Sequence, residues 1–220
     1  MKRIFKYTLI FISYFIYNIL CKAILYAFNI NYYNLDNNHK ILTTFLIELL
    51  YFVIIIYIYR KDLKEEIIDF KNKFKEYIPK YFLVYLIGIL LMAISNIIIS
   101  KITNYELSGN ESIVREYIKK YTLYMFFSSI IYAPFIEEII FRKTIKKLFN
   151  NKYIFIILSG LIFGILHISN IQDMNEILFS IPYIIMGIDF AYIYHKTNNI
   201  FTCITFHLCH NLILFIIQLL

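Results

Sequence analysis

The chain runs Pro134-Phe135-Ile136-Glu137-Glu138-Ile139-Ile140-Phe141-Arg142, with two adjacent carboxylates followed by an apolar turn and an arginine. On a helix Glu138 and Arg142 lie four residues apart, acid before base, and can pair on one face. Glu137 is turned from Glu138 by about 100° and is less well placed for that partner. Two further patterns follow, Phe163-x-x-x-His167 and His207-x-x-x-Asn211. His207 and Asn211 share a helix face, roughly 6 Å apart along the axis. Carboxylates and imidazoles can take up and pass on protons, and imidazole and amide N–H groups can hold a developing negative charge.

Their relative depths follow from the turns between them. If the helices flanking Asn150-Asn151-Lys152 form an antiparallel hairpin about position 152, Glu137 and His167 lie equally far from the turn and meet at one depth. A second hairpin, turning at Lys196-Thr197-Asn198-Asn199, matches His207 with Asp189 about position 198. Asp189 is then either an orienting partner for a histidine or a carboxylate near a polar cavity. His210, three residues from His207, lies beside the same face, and His195 falls near a membrane surface. Glu48 stands alone in its apolar run, with no partner in view.

The elements that carry these groups are set by composition. Hydrophobic residues make up 60% of the 220, with only 5 Gly and 3 Pro, more apolar surface than a soluble domain of this length can bury. The expected fold is all-α, a polytopic transmembrane bundle, with apolar runs at about 7–29, 41–59, 81–100, 121–141, 153–169, 177–195 and 200–219. No repeat or low-complexity linker divides the chain, so 1–220 reads as one membrane domain with the chemistry confined to 121–220. The net charge of +7 comes from short stretches between apolar runs, as expected beside anionic lipid rather than nucleic acid. The three cysteines, Cys21, Cys203 and Cys209, lie inside apolar runs and suggest neither a disulfide framework nor a cysteine zinc cluster. The first apolar run is too long, and lacks the small-residue cleavage pattern, for a removed signal peptide.

Orientation follows from Lys and Arg. Sixteen fall in residues 2–6, 60–80, 142–152 and 196, against five in the alternate segments, which places the N-terminus in the cytoplasm. Segment 60–80 interleaves charges with Leu63, Ile67, Ile68, Phe70, Phe74, Tyr77 and Ile78, predicting an amphipathic cytoplasmic helix that stops at Pro79.

Together, Glu137-Glu138-x-x-x-Arg142, Phe163-x-x-x-His167 and His207-x-x-x-Asn211 resemble the CPBP family of intramembrane proteases, which includes CAAX prenyl endopeptidases and bacterial Abi proteins. Gly187 and the run Tyr194-x-Lys196-Thr197-Asn198-Asn199-Ile200 precede the third motif and add to the likeness. The three elements occupy about the last 90 residues in the family's order. Seven spans are one fewer than the eight often drawn for the family.

The resemblance implies a glutamate-dependent endopeptidase acting on membrane-associated peptides or proteins, in a bacterial plasma membrane. Glu137 would take a proton from water held by His167, His207 and Asn211 would bind the oxyanion, and Glu138 with Arg142 would brace the helix. Glu137, His167 and His207 could also ligate a divalent metal such as zinc, although the sequence requires none and holds no His-Glu-x-x-His. Prenylated proteins and secreted or bacteriocin-related peptide precursors all suit a cavity entered from the cytoplasm. Two alternatives stand beside this reading. A proton-coupled transporter could string Glu137, Asp189 and the histidines along a path, though Gly and Pro are scarce for broken helices. A non-catalytic immunity-type protein could share the fold, although no site residue is missing.

Overall fold

The computed structural model describes residues 2–169 and 173–220, and all regular structure among them is helical. Eight helices follow in order: α1 (Lys2–Ala27), α2 (Asn37–Thr103), α3 (Gly109–Lys120), α4 (Thr122–Leu148), α5 (Lys152–Ile165), α6 (Met174–Leu178), α7 (Ser180–Thr197) and α8 (Ile200–Leu219). Short polar residues start most of them. Asp36 accepts hydrogen bonds from the Asn38 and His39 amides, and Ser108, Asn151 and Asn199 cap α3, α5 and α8 in the same way. Left-handed Asn29, Asn104 and Asn198 follow α1, α2 and α7, a conformation Asn tolerates better than most residues.

Five helices are long and apolar enough to cross a membrane: α1, α2, α4, the α6–α7 segment and α8. The difference from seven predicted runs lies in two places. Runs 41–59 and 81–100 both belong to α2, which is helical without a break for 67 residues. Run 153–169 is shorter than expected, since α5 ends at Ile165 after 14 residues, below the roughly 20 that a perpendicular span requires. The fourth run gains a basic turn and reaches Leu148 instead of stopping at 141.

A straight α2 would be about 100 Å long. Its contacts require it to turn back. Glu48 meets Tyr124 and Ser128 on α4, Glu66 and Asp69 meet α4 and the start of α8, and Gly88 packs against Asp189 on α7. The stretch 60–80 is helical as predicted, but Pro79 does not end it. Proline removes one backbone hydrogen bond and kinks the helix, a loss best tolerated where the chain must bend anyway. One stripe faces inward along both arms, from Tyr51, Ile55 and Tyr59 to Tyr77, Tyr81 and Tyr85.

The reversal of α2 is clamped by charge. Lys143, 2% exposed, pairs with Glu66 and lies 3.5 Å from Asp62. Asn199 donates to Glu66 O at 2.8 Å and to Asp69 Oδ2 at 2.9 Å, and Glu66 Oε2 accepts from the Ile200 amide at 2.7 Å. The Asp69 carboxyl is held below its usual range, first by Lys73 and then by Asn199 and Tyr77.

α5 and α7 approach backbone to backbone, and three of the five glycines make this contact. A Cβ at Gly160 would lie 2.9 Å from the Ile188 amide, and one at Gly164 would lie 2.8 Å from the Ile184 amide. A Cβ at Gly187 would lie 2.9 Å from Gly160 Cα. In lipid, where apolar burial cannot drive helices together, such close packing supplies much of the attraction.

Candidate active site

α4 widens into π-helical turns at Phe126–Tyr132 and Glu138–Thr144, on either side of a short α-helical stretch that contains Pro134. Thr144 Oγ1 reaches back to Ile139 O, five residues earlier, and also bonds Tyr59 Oη on α2. Such local widening recurs at functional sites because it redirects side chains without ending the helix.

The second widened stretch carries a fully buried ion pair. Arg142 Nε donates to Glu138 Oε2 at 3.0 Å, and neither side chain is accessible. The guanidinium also donates to Ser159 Oγ on α5 at 2.6 Å and stacks 4.8 Å from the Phe163 ring. Ser159 Oγ in turn donates to Phe141 O. The expected Glu138–Arg142 pair is therefore formed, with an anchor on α5 that the sequence did not reveal.

Across from it, His207 on α8 bridges the two glutamates. Its Nδ1 lies 3.0 Å from Glu138 Oε1 and its Nε2 lies 3.9 Å from Glu137 Oε2. The ring stacks on Phe190, with centroids 5.3 Å apart. This corrects the mirrored pairing of His207 with Asp189. The carboxylate partner of His207 comes from α4, which no hairpin symmetry between α7 and α8 could indicate. Asp189 instead packs on Gly88, and its Oδ2 is buried with no hydrogen-bond partner among the described residues.

His167 lies just beyond α5, in the turn after Ile165, rather than within a span. Its Nδ1 donates to Phe163 O at 2.7 Å, and the ring stacks 4.2 Å from Tyr183. That bond leaves the lone pair on Nε2. Asn211, one turn beyond His207, donates to Ser129 O at 2.7 Å.

Glu137, His167, His207 and Asn211 line one cavity of about 490 Å³, in the size range of ligand sites. His210 lines it as well, edge-on to Tyr85. The inner end is closed by buried Phe163 and Phe190, and the other end reaches α3 and the turn before it, where Glu106, Leu107 and Arg115 are exposed. α3 was not among the predicted elements, because its polar sequence carries no span signal. Its capping Ser108 and its spacing of Ile113, Val114, Tyr117 and Ile118 were the available cues.

Among the described residues no three His, Cys, Asp or Glu side chains are grouped to hold a metal ion. Each imidazole holds Nδ1 in a hydrogen bond, His207 with Glu138 and His167 with the Phe163 carbonyl, which leaves Nε2 as the nitrogen a metal would take. Glu137, His167 and His207 line the same cavity but are not drawn together into a ligand group among the described residues.

Glu48, without a visible partner in sequence, accepts from Tyr124 Oη at 3.0 Å and from Ser128 Oγ at 3.3 Å. Tyr124 and Ser128 are themselves four apart on α4, a spacing that marks one polar face.

Comparison with known proteins bears on the same region. Residues 119–213 match the family described as Type II CAAX prenyl endopeptidase Rce1-like. Over 115 residues the chain is 36% identical to the Bacillus subtilis (strain 168) protein named "Putative membrane peptidase YdiL", an alignment covering 51% of this chain and 44% of that protein. The chain therefore matches less than half of that relative's length. No solved structure matches it significantly. The matched segment holds Glu137, Glu138, Arg142, His167, His207 and Asn211 in the cavity wall or directly behind it, and residues 119–213 are similar to the Rce1-like CAAX prenyl endopeptidases.

Proposed function

We propose that this chain is an intramembrane endopeptidase that hydrolyses peptide bonds with water activated by Glu137. The observation that carries the reading is the convergence of Glu137, His167, His207 and Asn211, from α4, the end of α5 and α8, on one cavity within the bundle. Peptide hydrolysis needs a proton acceptor for the attacking water and donors for the oxyanion. Glu137 is partly accessible, at 16%, and is the carboxylate of the pair left free by Arg142. His167 Nε2, with its proton on the other nitrogen, accepts from the same water. Water oxygen attacks the carbonyl carbon as its proton passes to Glu137. The proton then moves to the amide nitrogen as the C–N bond breaks.

Glu138 holds His207 through Nδ1 and so aims Nε2 toward Glu137 and the cavity. An N–H at His207 Nε2 and the second amide hydrogen of Asn211 supply the oxyanion donors, each typically worth about 3 to 4 kcal/mol in the transition state. No step passes through a metal. The protein is expected in a bacterial plasma membrane with its N-terminus inside and a membrane-associated polypeptide as substrate.

The test is Glu137→Gln in purified protein, with cleavage read on the membrane peptides that accumulate in cells lacking the chain. Loss of cleavage with unchanged helicity and detergent stability supports the base. Unaltered turnover removes Glu137 from the chemistry.

A further inference from the structure

We infer that the cavity is entered from the extracytoplasmic face, so that the substrate is a polypeptide segment exported to or displayed on the outer surface. The inference rests on the proteolytic reading for what happens to that segment, and on independent observations for the side of entry.

The bundle has two chemically distinct ends. One gathers the early turns of α1, the reversal of α2, the end of α4 and the α7–α8 turn, as the Tyr7–Tyr59, Lys143–Glu66, Asn199–Asp69 and Lys146–Asn198 contacts require. The segments meeting there hold sixteen Lys and Arg against five Asp and Glu. At the opposite end, Lys22 lies over Tyr32, Tyr105 bonds Asp173, the Gly109 amide bonds Glu176, and Gln218 bonds Glu111. Six basic and six acidic residues offset each other there. The positive-inside bias places the first end in the cytoplasm.

The cavity runs toward the second end. From His207 to Gln218 its wall follows α8 for about 16 Å, and from Glu137 to Met125 it follows α4 for about 18 Å, at 1.5 Å per residue. The rim is α3 and the turn before it, with exposed Glu106, Leu107 and Arg115. Toward the basic end, buried Phe163, Phe190, Phe141 and the Glu138–Arg142 pair close it. Entry from the cytoplasm, as the sequence suggested, would therefore require a path through the tightest-packed part of the molecule. An outward mouth gives access to a segment already across the membrane, and a prenylated protein on the cytoplasmic leaflet has none.

Entry side is read without reference to cleavage by labelling single added cysteines in intact cells with a membrane-impermeant maleimide. Labelling above the wild-type background is expected at once for Arg115→Cys on the rim and Leu214→Cys in the wall, but only after permeabilisation for Lys64→Cys. Rim and wall cysteines that label only after permeabilisation overturn the inference. A second arm presents a library of short random tails on a single-helix anchor, facing either outward or inward. Cleavage confined to outward tails supports the substrate class, and cleavage confined to inward tails overturns it. Cleavage of neither, with labelling from outside, refutes the proteolytic reading while leaving the side of entry established.

Discussion

Removing Arg142 tests whether the buried pair behind the cavity is held by charge or by shape. Arg142→Met keeps much of the volume but strips four hydrogen bonds, two to Glu138 at 3.0 and 3.4 Å and two to Ser159, at 2.6 Å to Oγ and 3.3 Å to the carbonyl. It leaves Glu138, with 0% exposure, buried against His207 alone. Deleting one partner of a buried pair typically costs about 3 to 5 kcal/mol, chiefly because the other charge remains uncompensated. At about 1.4 kcal/mol per tenfold, the unfolding equilibrium should shift by roughly a hundredfold to several thousandfold. Glu138→Gln in the same protein removes that charge while its amide oxygen still accepts from His207 Nδ1. The double variant should thus recover at least about 2 kcal/mol relative to Arg142→Met alone, an interaction energy within the range seen for contacting residues. The assay is reversible unfolding in detergent micelles followed by circular dichroism, with all four members of the cycle measured. A double variant no more stable than Arg142→Met would show that packing against Phe163 and the Ser159 bonds, not the uncompensated carboxylate, account for the loss.

His167→Ala and His207→Ala should each lower turnover by orders of magnitude, and the double variant should be little worse, since groups acting as one unit are non-additive; full rates in His207→Ala would remove it from the mechanism. Cysteines at 137 and 167, or at 167 and 207, should join through a short bridging reagent, whereas Ile139, fully buried on another side of α4, should pair poorly with 167. Gly164→Leu places a Cβ 2.8 Å from the Ile184 amide and should destabilise the protein by about 1 to 3 kcal/mol or more in thermal unfolding; an unchanged midpoint would mean that α5 and α7 are not in backbone contact. A reporter inserted within 60–80 should read as cytoplasmic and one fused after Leu220 as extracytoplasmic, and the reverse pattern would invert the assigned orientation.

Interactions confined to one helix, or to helices joined by a short turn, were legible in the sequence. The Glu138–Arg142 pair follows from a four-residue spacing, and the common cavity of Glu137 and His167 follows from equal distance to one turn. What could not be read depends on helices far apart along the chain. His207 finds its carboxylate on α4, sixty-nine residues away, while the equal-depth partner Asp189 faces Gly88 on α2. Glu48 Oε1 takes its two donors from seventy-six and eighty residues away. The widened turns of α4 leave no trace in a pattern of apolar residues, because Ile and Phe fill either geometry. Nor does hydropathy distinguish two spans joined by a loop from two arms of one bent helix.

The bend of α2 gives the protein a stiff frame. A hairpin closed by a loop lets its arms separate by rearranging a few backbone angles, whereas here the connection is itself hydrogen-bonded helix, pinned by Lys143, Asn199 and the Ile200 amide. Swinging the arm that carries Met92 away from the cavity would have to drag the clamp with it or break the helix at Pro79. The wall formed by α2 therefore behaves as a fixed side of the cavity, held at the reversal rather than at its free end.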